Sequence, residues 1–206
     1  MRTLIVLLAA GRSRRFNGVK LAQAIDKEGT SVLADSYSKL RGVADKVGAE
    51  LLVILGGHQE QLLPLLPAGA KYLINPEFET GLSSSIRCAV NHGVKAEADS
   101  LLISLADQVE IAESDYLKLF TARSGAPVCA TFDEQLSAPA LFYRDDFDKL
   151  TALTGDRGAK PILQMLKQVG RLQTVEMSSA QRDIDTRIEL ADWLDARSSS
   201  RENHNN

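Results

Sequence analysis

Three short runs in this chain are apolar at nearly every position: Leu4-Ile5-Val6-Leu7-Leu8, Leu51-Leu52-Val53-Ile54-Leu55, and the centre of Ser100 to Leu105. A strand with one wet face alternates apolar and polar residues, whereas a run apolar throughout is covered on both faces. Amphipathic stretches separate these runs. Ser31 to Val47 places Val32, Leu33, Tyr37, Leu40 and Val43 on one helical face, and Ser83 to Val94 and Ser114 to Arg123 also read as helices, with Ser83, Ser84 and Ser114 as capping residues. Gln59 to Leu66 reads as a short helix and Lys71 to Ile74 as a strand. Farther on, Val128 to Phe132, Ala140 to Tyr143 and Leu172 to Met177 read as strands. Asp146 to Leu153, Ala159 to Val169 and Ile188 to Ala196 read as helices. This alternation predicts an α/β fold in three layers around a mostly parallel sheet.

Residues 1–197 show no Gly/Pro/Ser-rich linker and no repeat, so one domain is expected, with a polar, disordered tail over 198–206. The chain carries 24 basic and 27 acidic residues, a net charge of -3, which argues against a broad nucleic-acid footprint. An anionic ligand must then be held by a local cluster of donors. Cys88 and Cys129 form no CxxC pair and suggest two reduced thiols of a cytoplasmic protein. The apolar run near the N-terminus passes into Gly11-Arg12-Ser13-Arg14-Arg15, neither a cleavage site nor a stop-transfer pattern. No apolar run approaches the ~18 residues that span a bilayer.

Ligands of parallel α/β sheets sit at the carboxyl ends of the strands. That rule selects the loop from Ala9 to Lys20, Gly56-Gly57, Asn75 to Ser85, and Asp107-Gln108. After the first strand, Ala9, Ala10 and Gly11 are small, so backbone N–H groups there can approach phosphate oxygens directly. Arg15 and Lys20 add charge along a polyphosphate. The loop is not a P-loop, because Phe16 stands where the second glycine belongs, and Ser13 and Phe16 likewise break a dinucleotide fingerprint.

Asp107 ends an apolar strand and reads either as a magnesium ligand or as the cap of the following helix. Asp183 and Asp185 share one side of an extended segment. One of them would complete a metal site with Asp107, or both are surface acids ahead of a helix capped by Asp185 or Thr186. Gly81-Leu82-Ser83-Ser84-Ser85 precedes a helix whose N-terminus suits a phosphate or a ribose. Gly155, Asp156, Gly158 and Lys160 form a glycine-bounded charged turn suited to a second substrate or to plain helix entry. His58 and His92 lack partners for a triad, and Trp193 is expected to pack the final helix.

Together these segments resemble the MobA-like nucleotidyltransferases, and within them the molybdenum cofactor cytidylyltransferases. The family opening LAAGxSxRxGxxK is matched at Leu8, Ala9, Ala10, Gly11, Ser13, Arg15 and Lys20. Asn75, Pro76 and Gly81 to Ser85, then Leu105 to Gln108, Leu153 to Lys160, and Asp183 to Thr186 follow in family order. The resemblance implies a Rossmann-like nucleotidyltransferase fold of glycosyltransferase-A type. It implies that CTP binds at Leu8 to Lys20 with contacts from Gly56, Asn75, Gly81, Ser83 and Ser84. It implies Mg²⁺ on Asp107 and Asp185, with Arg15, Lys20 and Asp107 serving catalysis. The acceptor is then the terminal phosphate of molybdopterin, held near Gly155, Asp156, Gly158 and Lys160, with a molybdenum hydroxylase receiving the product. Ala10 favours CTP, since LAGG openings go with guanosine. Other phosphorylated acceptors, GTP, and a non-catalytic molybdenum cofactor carrier are the competing expectations. Asn17 departs from the family's glycine, Val109 from its proline, and Ser137-Ala138-Pro139 lacks the glycine before the proline.

Overall fold

The computed structural model describes residues 1–181 and 183–202, with 197–202 described by backbone alone. Seven strands form one sheet: β1 (Thr3–Ala9), β2 (Glu50–Leu55), β3 (Tyr72–Ile74), β4 (Ser100–Leu105), β5 (Val128–Phe132), β6 (Gln135–Tyr143) and β7 (Gln173–Glu176). Their order is β3-β2-β1-β4-β6-β5-β7. Pairing is parallel throughout except along β6, which runs antiparallel to both β4 and β5.

The apolar runs do what their composition requires. On β1, Ile5, Leu7 and Ala9 enter one hydrophobic cluster, while Leu4, Val6 and Leu8 enter the other. The first cluster is closed by helices α1 (Val32–Val47), α4 (Glu113–Ala122) and α7 (Arg187–Glu202), the last through Leu190 and Trp193. The second is closed by α3 (Leu82–Lys95), α5 (Phe147–Thr151) and α6 (Lys160–Gln168). Three layers result, as expected. Helix α2 (Gln59–Leu62) is shorter than the sequence suggests, because Pro64 supplies no N–H and the chain tightens into a 3₁₀ turn over Leu63–Leu65. No helix among the described residues is long and apolar enough to cross a membrane.

Helix ends differ from expectation in three places. Ser31 caps α1, its Oγ accepting from the N–H of Ala34 at 3.1 Å. Ser114 caps nothing: α4 is entered at Ala112, whose N–H donates to the Asp115 carboxylate, a better acceptor than a hydroxyl. Ser83 and Ser84 do not cap α3 either. Gly81 holds that position at φ 104° and ψ 177°, a conformation open essentially to glycine alone. Helix α7 is described through Glu202, beyond the Ala196 expected, and 203–206 of the expected tail lie outside the described residues. Strand β6 begins five residues earlier than Ala140, because Asp133 and Glu134 both take positive φ and close a tight β5–β6 hairpin.

The topology fixes where ligands can enter. From β1 the chain moves outward through β2 to β3, then returns to the other side of β1 as β4. The carboxyl ends of β1 and β4 lie side by side, Leu8 opposite Leu105, and the chain leaves them in opposite directions along the sheet, from β1 toward β2 and from β4 toward β5 and β6. Such a reversal of strand order opens a crevice.

Candidate active site

That crevice is a cleft of about 540 Å³. The β1 loop contributes Leu8, Ala10, Gly11, Arg12, Ser13, Arg14, Arg15 and Lys20, and the β4 tip contributes Leu105 and Asp107. The segment entering α3 adds Phe78 to Leu82 and Ser85. Asp156, Asp183 and Asp185 complete the wall.

The β1 loop is held open by its own anchors. Phe16 is buried beneath it and its N–H donates to the Ser13 carbonyl at 2.9 Å. Ser13 and Asn17 adopt positive φ, and asparagine tolerates that region far better than most residues. The departure from glycine at 17 therefore keeps the turn. The Arg187 guanidinium donates to the Asn17 carbonyl at 3.1 Å and stacks over Phe16. His58 is no ligand candidate: its Nε2 bonds the Arg12 carbonyl.

Lys20 is the centre of the charge arrangement. Its Nζ donates to Asp107 Oδ2 at 2.6 Å and to Asp185 Oδ1 at 3.3 Å, and its side chain is only 9% exposed. Arg15 holds the other oxygen of Asp185 at 2.7 Å. Arg12 pairs with Glu79 at 2.9 Å over the ring of Phe78. Arg14 has no ion pair among the described residues. Opposed cations and carboxylates thus share the cleft, which is not the purely cationic site the basic loop suggests.

The helix-cap reading of Asp107 is overturned, because α4 starts beyond it at Ala112 and the carboxylate faces Lys20. Its loop is fastened from behind. Ser36 donates to the Ala106 carbonyl at 2.9 Å, Lys39 to that of Val109 at 2.8 Å, and the N–H of Ile184 to that of Asp107 at 3.3 Å. Gln108, missed from sequence as anything but a motif letter, is buried and donates to the carbonyls of Ala138 and Ala180. It ties the β4 tip to the turn before Asp183. Thr186 and Glu189 form a capping box at the start of α7: Thr186 Oγ1 accepts from the Glu189 N–H, while Glu189 accepts from the N–H groups of Asp185 and Thr186. The Asp185 carboxylate is thereby left to the cleft. Burial, then the like charges of Asp107 and Asp185, push the Asp183 carboxyl up to about 6 despite the opposing Lys20.

Several expected residues stand elsewhere. Ala9 points into the core. Gly56 is wedged where a Cβ would meet Phe78 and Ala10, so it supports the wall and does not form it. Asn75 is buried and donates to Ser84 and Ser85 at 2.8 and 3.0 Å. At the α3 N-terminus the Ser83 and Ser84 hydroxyls and the first amides are already engaged, and of the three serines only Ser85 lines the cleft. Gly155 O accepts from both the N–H and Oγ of Ser83, Asp156 Oδ1 accepts from the N–H of Leu82 at 3.2 Å, and Ser84 Oγ turns back to Gly81. The glycine-bounded turn is therefore the cap of α3. Of its four candidates only Asp156 lines the cleft; Gly155, Gly158 and Lys160 do not.

Asp107 and Asp185 converge on a single cation, and carboxylate oxygens are the donors that suit Mg²⁺ or Mn²⁺. Among the described residues no group of three or more metal-ligating side chains is assembled. Two carboxylates with the rest of the shell from phosphate and water is the arrangement Mg²⁺ commonly takes, so the residues fit.

The model of the MobA-like NTP transferase domain matches residues 5–172. Among solved structures, Rv0371c from Mycobacterium tuberculosis is 23% identical with a TM-score of 0.76, covering 94% of this chain and 97% of that one. The same protein in complex with manganese gives 20%, 0.64, 85% and 88%. CMP:2-keto-3-deoxy-manno-octonic acid synthetase complexed with CTP is 15% identical with a TM-score of 0.71, covering 97% of this chain and 100% of that one. These likenesses show the fold. No curated protein sequence matches the chain.

Proposed function

From the premise that the chain belongs to the MobA-like NTP transferase domain family, we propose that it transfers a cytidylyl group from CTP to the terminal phosphate of molybdopterin and releases pyrophosphate. The observation that carries this reading is the pairing of Lys20 with Asp107 at 2.6 Å across the β1–β4 crevice. It puts the cationic, glycine-opened loop and the acidic strand tip within reach of one bound triphosphate. The relative complexed with CTP and the motif alanine at Ala10 support the choice of base.

In this reading the backbone from Ala10 to Ser13 receives phosphate oxygens, and Arg15 and Lys20 leave Asp185 and Asp107 to hold the leaving pyrophosphate. A terminal phosphate oxygen of the acceptor forms a bond to the α-phosphorus in line, while the bond to the pyrophosphate oxygen breaks. A phosphate is already ionised at neutral pH, so the attack asks no side chain to take a proton and forms no covalent enzyme intermediate. Catalysis is positioning and charge neutralisation by Arg15 and Lys20. A divalent ion, when bound at Asp107 and Asp185, supplies Lewis-acid neutralisation of the triphosphate. Asp156, at the rim, is the residue of the 155–160 turn best placed to meet the acceptor.

Pyrophosphate release measured with each nucleoside triphosphate, with molybdopterin and with other phosphorylated acceptors, tests the proposal. CTP and molybdopterin together should give the fastest release. A preference for GTP, or no turnover with molybdopterin, overturns it.

A further inference from the structure

We infer that Lys20 is a resident cation that keeps free divalent ions out of the gap between Asp107 and Asp185, so that the cleft accepts a metal–nucleotide chelate and not a bare ion. The inference rests on reading the cleft as a nucleotidyl-transfer site.

The geometry is direct. An ion bridging these two carboxylates must lie about 2.1 Å from an oxygen of each. The Lys20 ammonium already lies 2.6 Å from Asp107 Oδ2 and 3.3 Å from Asp185 Oδ1, in that same gap. Ammonium and ion cannot share it, by volume or by charge. Nor does Lys20 drift away easily. Its N–H bonds Ser13 Oγ at 3.3 Å, it opens the 3₁₀ turn Lys20–Ala22, and that turn buries Leu21 and follows the buried Phe16.

Charge counting gives the same answer. Lys20 and Arg15 face Asp107, Asp183 and Asp185, two cations against three carboxylates, so the cluster carries only about one net negative charge before any ion arrives. A bare divalent ion would leave it with excess positive charge in a partly enclosed cleft. A triphosphate changes both sides of the balance. Its oxygens offer Lys20 and Arg15 new acceptors, drawing them off the carboxylates, and they complete the ion's own shell. The nucleotide is then what releases the metal position, and Lys20 selects the chelate.

The test is Mn²⁺ binding, followed by electron paramagnetic resonance of the free ion, with and without CTP. The proteins are the wild type, Lys20→Met, Lys20→Gln, and Lys20→Met combined with Asp107→Asn. Wild type should bind Mn²⁺ alone weakly and Mn²⁺ with CTP well. Both single variants should bind Mn²⁺ alone tighter by on the order of tenfold or more, since a unit charge at contact distance is removed. The double variant should lose that gain. No gain in either variant, or a gain that survives Asp107→Asn, overturns the inference. If the variants gain Mn²⁺ while wild type takes up none with CTP, exclusion by Lys20 stands and the nucleotide reading falls.

Discussion

Replacing Gly81 with alanine should unlatch the wall of the cleft. A Cβ built there would lie 2.5 Å from both the carbonyl carbon and the oxygen of Gly155, and 2.6 Å from the N of Asp156. All three are backbone atoms, so no flexible side chain can yield. Restoring van der Waals contact requires the 155–156 turn to retreat by roughly 1 Å. That retreat breaks the hydrogen bonds from Ser83 Oγ at 2.6 Å and Ser83 N at 3.3 Å to Gly155, and from Leu82 N at 3.2 Å to the Asp156 carboxylate. Neutral bonds contribute about 1 kcal/mol each and one to a charged group about 2 kcal/mol. Holding alanine at φ 104° and ψ 177° adds strain of about 1–3 kcal/mol. Losses overlap, so the expected destabilisation is about 4 kcal/mol, a fall in Tm of roughly 8–16 °C for a chain of this size. Gly155→Ala is the internal control. It sits at φ 69° with nothing within 4 Å of its Cβ, and should cost only about 1–2 kcal/mol. Calorimetry and urea denaturation read both. Equal losses in the two variants, or a Gly81→Ala protein melting within about 2 °C of wild type, would refute the docking of this turn as the structural element described.

Further outcomes follow from other residues. Gly11→Ala meets nothing within 4 Å and should leave stability within about 0.5 kcal/mol of wild type. By placing a methyl group where phosphate approaches, it should weaken nucleotide binding about tenfold or more by calorimetric titration. The Asp183 carboxyl, raised to about 6 by burial and by Asp107 and Asp185, holds its proton more tightly in the folded than in the unfolded chain. In metal-free protein its contribution is therefore stabilising below pH 4 and is lost as pH rises toward about 6; urea denaturation of Asp183→Asn across pH 4–7 should show that slope removed. Cys129 is buried, with its thiol pushed up to about 12, so a disulfide reagent at pH 8 should modify it only on unfolding. Half-buried Cys88, raised mainly by burial, should react first.

Much of the fold was legible because its signals are periodic. Runs apolar on both faces mean a covered sheet, and β1 divides its side chains between two clusters as that reasoning requires. The meeting of the Ala9 to Lys20 loop with Asp107 followed from one topological rule about strand ends, whereas Asp185 entered through the spacing of its carboxylate pair and the family resemblance; the distances bring Lys20 to both acids. What escaped notice depends on long-range competition for backbone donors. Serines at a helix start look like free anion ligands until a turn 72 to 74 residues later claims the first amides of that helix. The Asp133-Glu134 turn carries neither glycine nor asparagine, so nothing local announced the start of β6. The acids that neutralise the basic loop, Glu79 among them, could not be paired with it from spacing alone.

A crystal grown with Mn²⁺ and a non-hydrolysable CTP analogue, with anomalous data collected for the metal, tests the central claim most directly. The account predicts a manganese peak about 2–2.3 Å from oxygens of Asp107 and Asp185, with the triphosphate along Ala10 to Ser13 and Lys20 turned onto phosphate. A nucleotide bound outside the β1–β4 crevice, or a metal with Lys20 still bridging the two carboxylates, would contradict it.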